Sequence, residues 1–201
     1  MDSFFKNVKE HSYSNNETHK NNNEIINIVL ASECTVGKTA FVLRLKNKNF
    51  KNYMKKAQFH SVSIRIDSFS LNFNYKDINV KLKIWDTEWL YSLYSSSFHK
   101  FVKKVDIVLL FYDSSMKCTF ETFKNKKYFF DNNFKRNTIF ALIRNKYDIN
   151  KEEISDEEAI EFADSNNMLF FHLSLIEKNE NGINELFENV LNEYFKRKRE
   201  E

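Results

Sequence analysis

Three short stretches carry residues whose types and spacing suit chemistry on a phosphate-bearing ligand. The first is SECTVGKT, residues 32–39. It fits the pattern G-x-x-x-x-G-K-[ST] at Gly37, Lys38 and Thr39, with Ser32 where the first glycine belongs. A loop of this kind (here Ser32, Glu33, Cys34, Thr35, Val36, Gly37, Lys38 and Thr39) binds phosphate through backbone N–H groups and the start of the following helix. The second stretch is RNKYD, residues 144–148, which contains N-K-x-D. The Asp148 carboxylate can accept hydrogen bonds from the N1–H and the exocyclic amine of guanine, a donor pair that adenine lacks. The Lys146 stem can cover a base, and Asn145 can tie neighbouring loops together. The third is KIWDT, residues 83–87, an apolar run closed by Asp86. A carboxylate there can hold Mg²⁺ through water, while Thr39 offers its hydroxyl to the metal.

Each stretch also has a plain structural reading: a tripeptide at a helix start, a solvated polar turn, an aspartate at a strand end. The elements around them favour the chemical one. EIINIVLA (24–31) is a continuous apolar run that suits a strand buried on both faces, and KTAFVLRLKN follows with helical spacing. The loop therefore lies between a strand and a helix. HSVSIRIDSFSLNFNY (60–75) and VKLKIWD (80–86) flank Lys76-Asp77, a hairpin signal. DIVLLFYD (106–113), TIFALIR (138–144) and NMLFFHLS (167–174) are further short strands. Helix-compatible segments lie at 118–131, 155–166 and 182–197, the second opened by the capping pair Ser155 and Glu158. Strands alternating with helices predict an α/β fold with a mostly parallel sheet covered on both faces. Ligands of such sheets bind at the carboxyl ends of the strands.

Composition bounds the function. The chain has 201 residues, 42% of them hydrophobic, which is enough for one domain with a real core. Residues 1–23 are Asn-rich and polar, and are expected to form a disordered arm with no secretory signal. No apolar run reaches membrane-spanning length. A net charge of +3 with interspersed signs gives no case for nucleic acid. Cys34 and Cys118 are far apart and in no metal spacing, as in a reduced, cytoplasmic protein. The chain has no proline and two glycines, a bias that an A+T-rich genome also produces.

TVGKT, IWDT, VLLFYDSS, NKYD, the late HLS and NGINELFENVL (181–191) together resemble the Ras superfamily of small GTPases, and within it the Rab branch. The resemblance covers residues 24–197, leaving 198–201 as a charged tail. It implies the P-loop small GTPase fold, GTP or GDP with Mg²⁺ as ligands, and effector proteins at the switch regions. It adds Phe50, eleven residues after Thr39, as the aromatic on the guanine edge, Ser61 as a metal-binding hydroxyl, and Ser174 in the last base loop. Arg144 replaces a usual glycine before NKxD and is expected to be a tolerated surface change.

The departures cluster at the phosphate end. Cys34 and Thr35 fill places that are usually small or Gly in the family, and the resemblance implies that a side chain at Cys34 obstructs the arginine finger and the attacking water. Where the family reads D-T-A-G-Q-E, this chain reads Asp86, Thr87, Glu88, Trp89, Leu90, Tyr91. Leu90 stands at the water-orienting glutamine and has no group for that task, so no catalytic residue is assigned. Trp89 replaces the glycine whose N–H meets the γ-phosphate. The aromatic run Trp89, Leu90, Tyr91, Leu93 and Tyr94 reads either as a repacked loop or as an apolar partner surface, and effectors are expected to meet the switch regions at Ser61, Trp89, Leu90 and Tyr91. The basic run Lys196, Arg197, Lys198, Arg199 suits a solvated helix end, and the cysteines that carry prenyl groups in Rab proteins have no counterpart, so no covalent lipid anchor is expected. A cytoplasmic protein, recruited to membranes by a partner if at all, is the expectation. Three functions compete: a guanine-nucleotide switch in vesicle trafficking with impaired hydrolysis, a pseudo-GTPase that binds protein and no nucleotide, and an ATP-using P-loop enzyme, which NKxD disfavours.

Overall fold

The computed structural model describes residues 8–9, 24–33, 35–46, 67–86, 96–149, 151–175 and 181–200. In chain order these form β1 (Val8–Lys9), β2 (Glu24–Ala31), α1 (Lys38–Leu45), β3 (Asp67–Tyr75), β4 (Ile78–Asp86), α2 (Ser96–Val102), β5 (Ile107–Asp113), α3 (Lys117–Asn133), β6 (Ile139–Asn145), α4 (Asp156–Ser165), β7 (Leu169–His172) and α5 (Asn181–Arg199). The seven strands make one sheet in the order β1-β3-β4-β2-β5-β6-β7. Pairing is parallel from β4 through β2, β5 and β6 to β7, while β3 joins β4, and β1 joins β3, antiparallel. The expected mostly parallel α/β sheet is what forms.

Period-two alternation explains how the sheet is covered. All of β5 is buried, yet its side chains divide between two cores. Ile107, Leu109 and Phe111 face one side, where Phe41 of α1 and Phe187 of α5 pack against Ile28 and Leu82. Val108, Leu110 and Tyr112 face the other, where Phe120, Phe123 and Phe130 of α3 meet Leu142 and Ala159. Phenylalanine supplies both layers, with Phe41 and Phe111 ring centroids 5.1 Å apart and Phe120 and Phe162 5.3 Å apart.

The β3–β4 hairpin turns at Lys76 (φ 44°) and Asp77 (φ 67°), both left-handed, as a two-residue connection of right-twisted strands requires. The Ser155 hydroxyl caps α4 by accepting from the Glu158 N–H at 3.3 Å, with Asp156, Glu157 and Glu158 placed favourably in the first turn. At the start of β5, Asp106 accepts from the Asn27 N–H at 2.8 Å and from Lys135 Nζ at 2.9 Å. Its own backbone bonds Asn27 O and receives the Ile139 N–H, each at 2.9 Å. One residue thus stitches β2, β5 and β6.

Three elements differ from the sequence expectation. Helix α2 was not anticipated, because its seven residues are too few to show a period. Val8–Lys9, within the segment expected to lack structure, pairs with Phe73 and Asn72 of β3. Helix α5 continues to Arg199, two residues into the expected charged tail. Its last turn is held by Arg197 on Glu193 at 2.7 Å and by Lys198 paired with Glu24. No helix among the described residues is long and apolar enough to cross a membrane.

Candidate functional site

Adjacent strands deliver the three sequence motifs to one end of the sheet. Leu30 of β2 pairs with Asp86, so the loop after β2 starts level with that carboxylate. Asp113 at the end of β5 pairs with Asn145 at the end of β6. The phosphate loop thus begins where Asp86, Asp113 and Asn145 end their strands.

The loop's conformation follows from two left-handed residues. Thr35 has φ 66° and Gly37 φ 109°. Gly37 is the N-cap of α1 and has no side chain with which to cap it. The N–H groups of a first helical turn point back towards the N-cap, an arrangement that fits a phosphate group. A second constraint falls on the same glycine. A Cβ at Gly37 would lie 2.5 Å from Asn145 Nδ2. That amide donates to the Val36 carbonyl at 2.7 Å, so Asn145 ties the base loop to the phosphate loop as its place in NKxD suggests. Asn145 is buried, and its Oδ1 has no hydrogen-bond partner among the described residues. An unmet buried acceptor beside a phosphate loop fits a polar ligand group.

Thr35 is strained, since a β-branched residue at positive φ is disfavoured by about 1–2 kcal/mol. Thr35→Gly should therefore leave stability unchanged or raise it by about 1 kcal/mol, reversing the usual penalty of a new glycine. Chemical denaturation checks this: a fall in midpoint would show that the neighbours, not the φ angle, set the loop.

Ser32, which stands at the missing glycine, is buried. Its hydroxyl donates to the Glu33 carbonyl at 2.6 Å and accepts from Lys38 Nζ at 2.9 Å. Glu33 in turn accepts from the Thr122 hydroxyl of α3 at 2.7 Å, which fixes the loop to its neighbouring helix. Thr39 is exposed. Cys34, Phe50, Ser61, Trp89, Leu90 and Tyr91 lie outside the described residues.

At the base end, the Ser174 hydroxyl donates to Asp148 Oδ1 at 2.6 Å. That bond orients the carboxylate and leaves its remaining lone pairs for a ligand. Lys146, at φ 58°, extends to Asp113 Oδ2 at 2.7 Å. Asp113 is buried. Burial raises its pKa, but Lys146 and two hydrogen bonds from Ser115 outweigh this and leave it below the usual carboxylate value. Asp113 thus anchors Lys146, a role its place in FYDSS did not announce.

Arg144 corrects an expectation. It is not on the surface but almost fully buried. Its Nη1 meets Asp156 at 2.6 Å, its Nη2 pairs with Glu152, and its Nε donates to the Ser114 hydroxyl at 3.1 Å. Burial disfavours the charge, yet the two carboxylates prevail and hold the guanidinium protonated. The available signal was the pair Glu152 and Asp156, acidic residues a short loop beyond an arginine that ends an apolar strand.

A mixed sheet with a helix that starts at the glycine of a GKT loop, and an NKxD loop tied to it, is the architecture of a P-loop small GTPase. The sequence pattern described as the Ras family matches residues 27–196. The mouse (Mus musculus) Ras-related protein Rab-17 is 27% identical over 172 residues, covering 85% of this chain and 76% of that protein. The chain belongs to the Ras family, and its similarity runs to the Rab side of it.

Proposed function

We propose that the protein is a guanine-nucleotide switch of the Rab type, working in intracellular vesicle trafficking, whose hydrolytic step is impaired. The observation that carries this reading is the junction of Gly37, Val36 and Asn145. There the glycine-capped start of α1 and the N-K-x-D loop are joined by a buried bond of 2.7 Å. Phosphates would sit on the Val36–Thr39 backbone with Lys38 beside them, and guanine would meet Asp148 under Ser174. Thr39 and Asp86 would hold Mg²⁺, which when bound neutralises phosphate charge. Trp89 and Leu90 supply neither the backbone swing of a glycine nor the donor and acceptor of a glutamine. The surface offered to effectors would include Ser61, Trp89, Leu90 and Tyr91.

A second reading has two observations in its favour. The strained Thr35 and the Ser32 hydroxyl on Lys38 both change the phosphate loop, as in a pseudo-GTPase that binds protein alone. Calorimetric titration with GDP, GTP and ATP in the presence of Mg²⁺ separates the two. Guanine-selective binding is expected, and no heat with any guanine nucleotide would establish the second reading.

On protein that binds, single-turnover phosphate release should run at or below about 10⁻⁴ s⁻¹, the intrinsic scale of a related GTPase with its glutamine intact. Leu90→Gln alone should change little. Combined with Trp89→Gly and Cys34→Gly it should raise the rate more than the affinity. Release well above that scale from the unaltered chain would show that another group positions the water.

A further inference from the structure

The guanine-reading loop is held from behind by side chains that the family motif does not contain. Arg144, Tyr147, His172 and Asp156 form a closed ring. The Arg144 guanidinium carbon lies 4.9 Å from the Tyr147 ring centroid. The Tyr147 ring lies 4.6 Å from that of His172. His172 Nε2 meets Asp156 Oδ2 at 2.9 Å, and the other oxygen of Asp156 returns to Arg144 at 2.6 Å. The ring joins the end of β6, the N-K-x-D loop, the end of β7 and the first turn of α4. Tyr112, Arg144 and His172 also stand in one row across three strands, so the sheet itself fixes the footing of the ring.

We propose that Arg144 is a positioning residue for base recognition, acting on Asp148 through Tyr147. The inference rests on the guanine-binding reading given above. Tyr147 is the x of N-K-x-D, flanked by Lys146 and Asp148, so where its ring sits decides where both flanking side chains start. The backbone restrains it weakly: the Tyr147 N–H reaches the Leu173 carbonyl at only 3.4 Å. Lys146 holds a left-handed conformation that a non-glycine residue keeps only under outside constraint. The constraint on the tyrosine is the pair of groups against its ring, the flat Arg144 guanidinium at 4.9 Å and the His172 imidazole at 4.6 Å, tilted 44° to it. A buried ion pair is no general aid to stability compared with apolar packing. What a guanidinium offers is a rigid planar fork, and here Nε, Nη1 and Nη2 are each bonded while the face remains for Tyr147.

The consequence is a dependence of base selectivity on a residue that does not touch the base. Inosine diphosphate lacks the exocyclic amine of guanine, so the ratio of GDP to IDP affinity reports how well Asp148 is aimed. General loosening of the fold would weaken both nucleotides alike and leave the ratio unchanged. Arg144→Gln should lower the ratio at least fivefold. A second variant keeps the test open should the loss of the buried Arg144 prevent folding: Tyr147→Ala, at a residue that is 47% exposed, should lower the ratio to the same degree. Tyr147→Phe should restore it by restoring the ring. The measurement is competitive titration of GDP and IDP against each folded variant. A ratio unchanged in both Arg144→Gln and Tyr147→Ala, with binding intact, overturns the positioning role. If the unaltered protein binds neither nucleotide, the underlying reading falls and this inference with it.

Discussion

Asp148→Ala should reduce guanine nucleotide affinity more than a hundredfold and erase the preference for GDP over ADP. The carboxylate is already oriented by the Ser174 hydroxyl at 2.6 Å, so no ordering is needed when a base arrives. Removing it leaves two guanine donors with no carboxylate to accept from them. Losing a charged, bidentate contact with both partners left unpaired costs about 3 kcal/mol, and each 1.4 kcal/mol or so is a tenfold change in affinity. Adenine nucleotides never use that pair, so their binding should hardly move. Competitive titration of GDP and ADP against the variant checks the result. A GDP to ADP ratio that stays at the unaltered value would place base selection on another residue.

Gly37→Ala should disable phosphate binding and destabilise the fold together. The backbone at this position, φ 109°, is disfavoured for any side chain. The added methyl would also meet Asn145 Nδ2 at 2.5 Å. Asn145 is buried and bonded to the Val36 carbonyl, so it has no free direction in which to retreat. Backbone strain and a stranded buried amide together amount to roughly 2–5 kcal/mol. Thermal or denaturant melting should register most of that loss without ligand, and GDP should give little stabilisation of the variant. A melting point equal to that of the unaltered chain would show that Asn145 can move, and that the two loops are coupled less tightly than their geometry indicates. The contrast with Thr35→Gly is instructive, because the two substitutions act on left-handed positions of one loop and should change stability in opposite directions.

Much of the fold was legible because period and punctuation agreed. EIINIVLA is a strand with the bounds its apolar run suggests, and Lys76-Asp77 is the turn that the flanking patterns require. Ser155 and Glu158 announced the start of α4. The candidate site was legible as motifs, since N-K-x-D and G-K-T carry their chemistry in adjacent residues. What could not be read was everything that depends on neighbours distant in sequence. The tie from Asn145 to Val36 spans 109 residues, and the bond from Thr122 to Glu33 spans 89. Arg144 was misplaced for the same reason. An arginine is mostly exposed unless paired, and its pairing with Asp156 and the stacking on Tyr147 appear only once β6, α4 and β7 are assembled. Helix α2 was missed because seven residues span too few turns for periodicity to rise above composition.

The stitch at Asp106 bears on how such a chain changes over generations. It ties β2, β5 and β6 where β5 begins, away from the end where the phosphate loop departs. Strand alignment and nucleotide chemistry therefore rest on separate groups of residues. Serine at the first position of the phosphate loop, where the pattern has glycine, leaves those bonds intact. A lineage can lose turnover one residue at a time while each intermediate still folds, and selection remains free to act on the surface that is left. Gly37 is the exception, because there the loop and the buried scaffold share one atom's worth of space, and it is one of the two glycines the chain retains.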